Sequence, residues 1–309
     1  MLTLLTALLI GQAPAPTPTS TRIGVYINQV AGIDLKASQY TVDFWVWFRG
    51  PDRAVSPVDT FEIINGRINS KTNIIKKKMA DGANYAAARI NATVYQNWDL
   101  RRYPLDNHRL ELVFEDSEID SNRGVFVVDQ DGQGLDPSIA VSGWEIARAL
   151  ETKVVDHRYD SNYGDLSVSQ TAEIHFSRYE VRIAANRSGL ARYFKVFFAL
   201  LISVLVSWCA FFIRPKDASP RVSVSVGALF AGAAGTLAIN NQLPDLNYLT
   251  LTDKTVFLCL GMILLSLVGT VLSLTLNYLG NESGWKRVDR YGAIAFPILF
   301  LVTLLVVIN

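Results

Sequence analysis

The order of apolar and polar positions divides the chain in two. From Met1 to about Gly189 they alternate, with charges throughout; from about Leu190 long apolar runs follow one another. Alternation with a period of two marks a half-buried strand. In YTVDFWVWFR, the residues Tyr40, Val42, Phe44, Val46 and Phe48 fall on one face, and Thr41, Asp43, Trp45, Trp47 and Arg49 on the other. The first face is predicted to be core. HRLELVFED and EIHFSRYEVRI alternate in the same way, the second with a bulge expected near Ser177. RGPDRA, ADGAN, DQDGQG and DSNYGD are turn signals between the runs. No long helical period intervenes. The pattern predicts an antiparallel β-sandwich over 22–189, with about eight to ten strands.

A membrane-crossing helix needs roughly 20 mostly apolar residues. Four segments of a membrane domain, 190–309, meet or approach this: about 194–213, 222–240, 255–276 and 292–308. Arg214, Lys216 and Arg221 lie between the first two, and Lys286, Arg287 and Arg290 between the last two. NQLPDLNYLTLTD, between the second and third, carries no Lys or Arg. The excess of basic residues in cytoplasmic loops places the first and third loops inside. The sandwich and the C-terminus are then outside. The start, MLTLLTALLIGQAPA, is too short to cross a bilayer and reads as a secretory signal over 1–15. A spacer over 16–21 follows. A multi-pass protein of the cell membrane is expected, with its sandwich periplasmic if the cell is Gram-negative.

Composition narrows the function. The 309 residues carry a formal net charge of +1, which gives no support to nucleic-acid binding. Cys209 and Cys259 lie in apolar runs and read as small buried hydrophobes, so no disulfide framework is expected. His108, His157 and His175 have no metal-ligand spacing. The acidic turn DQDGQG lacks the pattern of a dedicated calcium loop and reads as a solvated turn. No nucleophile–base pair stands out. The expectation is no enzyme, no metal and no cofactor.

The second span is unusual. RVSVSVGALFAGAAGTLAINN is rich in Gly and Ala and carries Ser, Thr and Asn. Small residues let helices approach closely, and the polar ones need a neighbour or water. Helical spacing offers two stripes. One runs Ser223, Gly227, Phe230, Ala234, Leu237 and Asn241; the other holds Ser225, Gly232 and Thr236. Spacing alone leaves open which stripe packs and which meets water.

Four stretches resemble the pentameric ligand-gated ion channels, the superfamily of bacterial channels and animal Cys-loop receptors. DLRRYPLDNHRLEL is similar to the signature loop before the first span, around Pro104 and Asp106. SWCAFFIRPKDASPRVSVSVGALF resembles the end of the first span and the pore helix, NNQLPDLNYLTLTD the linker after it with Pro244, and RVDRYGAIAFPILF the start of the last span. Their order fits a sandwich followed by four spans. The signature cysteines are absent, as in bacterial members. The short stretch before the last span holds no cytoplasmic domain. Ala199 stands where the family has a proline in the first span, and the family's tryptophan-proline stretch is missing between Arg53 and Ala88.

The resemblance implies a homopentamer, each chain meeting four identical subunits around a pore in membrane lipid. Counted back from Pro244, it selects Ser219, Ser223, Gly227, Phe230, Ala234, Leu237 and Asn241 as pore lining, with Phe230 as a hydrophobic ring. Such a ring blocks inorganic ions by dewetting. Asp217 is a candidate for charge at the mouth; the sign of the ions is open. Asp106, Pro104, Arg187 and Pro244 are implied to couple the outer domain to the pore, with Asp106 and Arg187 paired in a half-buried seam. An agonist pocket is implied under the loop DHRYDSNYGDLS, with Tyr159 and Tyr163 from one subunit and Trp45 and Trp47 from its neighbour. Aromatic faces suit an amine; protons are the other trigger. The alternative is a non-conducting, membrane-anchored module that binds a ligand or partner.

Overall fold

The computed structural model describes residues 17–161, 163–164, 174–187 and 189–308. The expected signal segment, most of the loop after Tyr163 and the last residue lie outside the described residues.

Among the described residues ten strands come first: β1 (Thr19–Asp34), β2 (Gln39–Gly50), then a helical turn α1 (Pro57–Thr60), β3 (Phe61–Ile63), β4 (Gly66–Lys78), β5 (Asn84–Tyr95), β6 (Asn107–Asp116), β7 (Gly124–Val128), β8 (Gly134–Leu135), β9 (Trp144–Tyr159) and β10 (Ile174–Arg187). They form two sheets. One runs β4-β5-β2-β1-β7, with β8 also on β1; the other runs β3-β6-β10-β9. Pairing is antiparallel except where β1 runs parallel to β7 and β8. The face predicted as core is core: Tyr40, Val42, Phe44, Val46 and Phe48 are all buried between the sheets. Across from them pack Leu110, Leu112 and Phe114 of β6 and Tyr179, Val181 and Ile183 of β10.

Three details differ from the sequence reading. β1 begins at Thr19, inside the expected spacer, because its first residues pair with β7 from Gly124 onward. There is no bulge at Ser177, which stays in register with Asp156. Ser177 is a polar residue on the inward face, and its hydroxyl accepts the buried Phe126 amide N–H at 2.8 Å. The irregularity lies between Ile183 and Ala185, where β9 carries the extra residues.

Four helices follow: α2 (Gly189–Cys209), continued by a 3-10 turn (Ala210–Phe212), α3 (Ala218–Asn240), α4 (Leu251–Tyr278) and α5 (Glu282–Ile308). All four are long and apolar enough to cross a membrane. They start earlier than the apolar runs because polar turns extend them. α5 gains its first turns from ESGWKRVDRY. α4 is started by a reciprocal cap: the Thr250 hydroxyl accepts the Asp253 amide, and the Asp253 carboxylate accepts the Thr250 amide. Hydroxyls fill the seams between helices. Thr255 meets Tyr193 at 2.8 Å, and the Ser266 hydroxyl donates to the Ser207 carbonyl at 2.6 Å. Cys259 is buried here as expected, but Cys209 is exposed at the end of α2.

Candidate functional site

The two stripes of α3 have opposite surroundings. Ser225 and Gly232 are buried and Thr236 is half-buried. Ser225 lies 3.3 Å from the Thr270 hydroxyl of α4, and Gly232 faces Ile263 and Leu260 so closely that a larger residue would displace them. Ser219, Ser223, Gly227, Phe230, Ala234, Leu237 and Asn241 are all exposed in the single chain. Phe230 is 72% exposed and Leu237 67%. The α3 backbone is oriented so that one stripe packs on α2 and α4 and the other is left exposed by the described residues of the chain.

The N-terminal end of α3 is fixed by an ion pair the sequence reading did not find. Arg221 is fully buried and grips Asp289 of α5 with two nitrogens, at 2.6 and 3.0 Å. The same guanidinium donates to the Ile213 carbonyl at 3.0 Å. The signal was present: a charged residue near a membrane helix end, or within it, calls for a named partner. Two-pronged guanidinium–carboxylate geometry fixes orientation as well as distance.

At the opposite end the sandwich and the helices interlock. Asp106 and Arg187 pair at 2.9 Å, with side chains 1% and 2% exposed. The expected seam is therefore fully buried rather than half-buried. The Arg187 guanidinium lies between the Trp144 ring, 4.1 Å away, and the Tyr103 ring, 5.0 Å away. Burial draws its pKa below the usual arginine value, and Asp106 opposes that shift. The other Asp106 oxygen meets His108 Nε2 at 2.5 Å. His108 is itself boxed by Trp98 and Trp144. Pro104 is buried after a cis peptide bond, and Pro244 is half-buried.

Further residues join the two domains. The Leu251 amide donates to the Arg101 carbonyl at 2.8 Å, the Thr252 hydroxyl to the Tyr103 carbonyl at 3.0 Å, and the Leu100 amide to the Tyr248 hydroxyl at 3.1 Å. Leu105 of the signature-like loop packs on the helical core, while Leu243 and Leu246 of the α3–α4 linker pack on the sandwich core. Each domain thus inserts apolar side chains into the other. Pairings between residues about 150 positions apart leave no local periodic signal, which is why sequence reasoning named Asp106, Pro104, Arg187 and the linker with Pro244 but none of these contacts.

The expected ligand residues divide between the sheets. Tyr159 ends β9, and its ring meets Tyr163, Phe176 and His157. Its hydroxyl donates to Glu115 at 2.9 Å and accepts from Arg178 at 3.1 Å. Burial, with the Glu115 hydrogen bond second, pushes the Tyr159 phenol up to about 12. Tyr163 is exposed, with a left-handed φ of 52°. Trp45 and Trp47 are half-buried on β2, in the other sheet. Trp47 lies over Gly24 and donates to Asp129 at 3.0 Å. Asp129 is consequently buried, so the DQDGQG turn is not simply solvated. Among the described residues no ring contact joins the tyrosine pair to the tryptophan pair. No metal-binding cluster occurs among the described residues.

No protein-family model matches the chain. The chain is similar to gamma-aminobutyric acid receptor subunit epsilon of Rattus norvegicus, 22% identical over 295 residues, covering 87% of this chain and 56% of that protein. It is also similar to a glutamate-gated chloride channel of Drosophila melanogaster, 23% identical over 219 residues, covering 71% of this chain and 44% of that protein. The chain spans about half the length of these curated relatives. These weak homologies, the two-sheet outer domain and the four apolar helices together fit a pentameric ligand-gated channel of the Cys-loop receptor superfamily.

Proposed function

We propose that the protein is a ligand-gated ion channel in which copies of the chain, five by family analogy, surround a water-filled path lined by α3. The observation that carries this reading is the unpartnered stripe from Ser219 to Asn241. It holds two Ser, one Gly, one Ala and an Asn beside Phe230 and Leu237, and it is turned away from the other helices of its own chain. Lipid offers Ser and Asn side chains no hydrogen bonds, whereas water does. Phe230 forms the constriction, where a ring of apolar side chains excludes ions by dewetting.

The agonist occupies a cleft between neighbouring outer domains, with Tyr159 and Tyr163 on one wall and Trp45 and Trp47 of the adjacent subunit on the other. Their separation onto the two sheets of one chain supports a site completed by a neighbour. Binding shifts a closed–open equilibrium only as far as the agonist prefers one state. Asp106, Arg187, Pro104 and Pro244 carry that preference to α3, because they lie in the interlocked seam. The test is current recording from protein reconstituted in planar bilayers, screened across pH, amines and divalent ions. Ligand- or proton-evoked current that is lost or altered in Tyr159→Ala supports the proposal. No current under any condition leaves a membrane-anchored binding module as the reading.

A further inference from the structure

The outer domain has a cavity of about 210 Å³, between the end of β2, the 51–57 loop and the β4–β5 hairpin. It is separate from Tyr159 and Tyr163, and none of the expected site residues lines it. Its charge is lopsided. Arg53, Lys76 and Lys77 contribute to the wall, against the single carboxylate of Asp52. Asp52 is already engaged, accepting from the Asn84 side-chain amide at 2.7 Å. Lys76 reaches out to Asp59 at 2.5 Å. Lys77 lies 5.3 Å over the Tyr85 ring, with no carboxylate partner among the described residues. Phe48, Pro51 and Pro57 give the wall an apolar part, beside the polar Thr21, Ser56 and Asn84.

Arg53 is the unusual member. Its side chain is only 9% exposed, yet its one ion pair among the described residues, to Asp116, is long at 3.4 Å. A second terminal nitrogen is spent on the Thr19 carbonyl and hydroxyl, both at 3.3 Å. Its Nε–H is buried and has no acceptor among the described residues. Buried donors are nearly always satisfied, so one left open beside a cavity needs an explanation. Burial also draws the Arg53 pKa below its usual value, with Asp116 opposing. An anion in the cavity would relieve both.

We propose that this cavity binds a small organic carboxylate, its charged end at Arg53 with Lys77 and its body against Phe48, Pro51 and Pro57. A guanidinium recognises a carboxylate by directed, charge-assisted hydrogen bonds. The site lies within one chain and needs neither a neighbouring subunit nor a conducting pore.

The experiment is fluorine NMR of 4-fluorobenzoate with the full chain in lipid nanodiscs, and 4-fluorobenzamide as the uncharged control. Saturable binding of the benzoate and none of the benzamide is expected. Arg53→Gln is expected to weaken it about tenfold or more, the scale of one lost hydrogen bond to a charged group. Lys77→Gln, at an exposed position, is expected to weaken it about threefold, as a partly screened charge should. If Arg53→Gln does not assemble, Lys77→Gln and the benzamide control decide the matter. Absence of saturable binding, equal binding of the amide, or unchanged affinity in the variants would overturn the proposal. Because the readout is binding, a failure here leaves the conduction reading untouched, and a silent channel would leave this site untouched.

Discussion

α3 and α5 both turn a broad face away from their own chain, and the two faces are chemically unlike. α5 shows Ile294, Ile298, Leu301, Leu305 and Val306. α3 shows Ser219, Ser223, Gly227, Ala234 and Asn241, with Phe230 and Leu237 between them. Exposure in a single chain is therefore ambiguous for a membrane protein, because it does not distinguish lipid from water or from a neighbouring subunit. Composition resolves it: branched apolar residues suit acyl chains, and hydroxyl and amide groups do not. The buried faces differ as well: α3 packs through Ser225, Ala228 and Gly232, α5 through Phe296, Phe300 and Leu304, and the two meet in the Arg221–Asp289 pair.

The contrast holds only while α3 keeps its rotation, and Arg221–Asp289 is what pins it. The largest effect is expected from Asp289→Ala, which leaves Arg221 buried without its partner. Removing one member of a buried pair costs about 3–5 kcal/mol. The expected result is loss of the assembled oligomer on mild heating, followed by size-exclusion chromatography; an unshifted melting profile would show that the pair does not hold α3.

A lysine placed on each face sharpens the comparison. Leu301→Lys faces lipid in this account and is expected to cost about 2.5–3.5 kcal/mol per subunit, the range for a charge at a helix centre. Membrane-inserted yield should fall. Ala234→Lys faces water, should insert normally, and should shift the reversal potential in asymmetric salt toward anions. Equal yields, or a shift from Leu301→Lys instead, would reverse the assignment of faces.

Truncation gives a smaller contrast. Phe230→Ala should raise current in the absence of ligand about tenfold, roughly 1.4 kcal/mol on the closed–open equilibrium, while Ile298→Ala should leave it unchanged. The smallest effect is expected at the packed stripe. Ser225→Ala removes one interhelical hydroxyl contact, typically about 0.6 kcal/mol. A small drop in thermal stability with normal resting current is the expected result. A large change in ion permeation would mean that Ser225, not Ser223, faces the path.

Much of the fold was legible because strand alternation is local. The buried set Tyr40 to Phe48 follows directly from one run of ten residues. Helix existence was equally plain, but the ends were not. The apolar run of α5 starts near Gly292, whereas the helix starts at Glu282, since nothing in hydropathy stops a helix from continuing into the headgroup region. The Ser177 misreading has a similar cause: an inward polar residue imitates a break in the alternation when its partner, the Phe126 amide, is distant in sequence. Of the candidate site, sequence supplied two alternative α3 stripes and the family likeness chose one. It did not supply Arg221–Asp289, Tyr248 or Leu105, whose roles depend on contacts between remote segments.

The most direct measurement of the central claim is an electron cryomicroscopy reconstruction of the full chain in lipid nanodiscs, refined without imposed symmetry. Five copies about one axis, with α3 innermost and Phe230 narrowing the channel, is the result expected here. Any other stoichiometry, or an α3 whose Ser223 stripe is covered by protein or lipid, would contradict it.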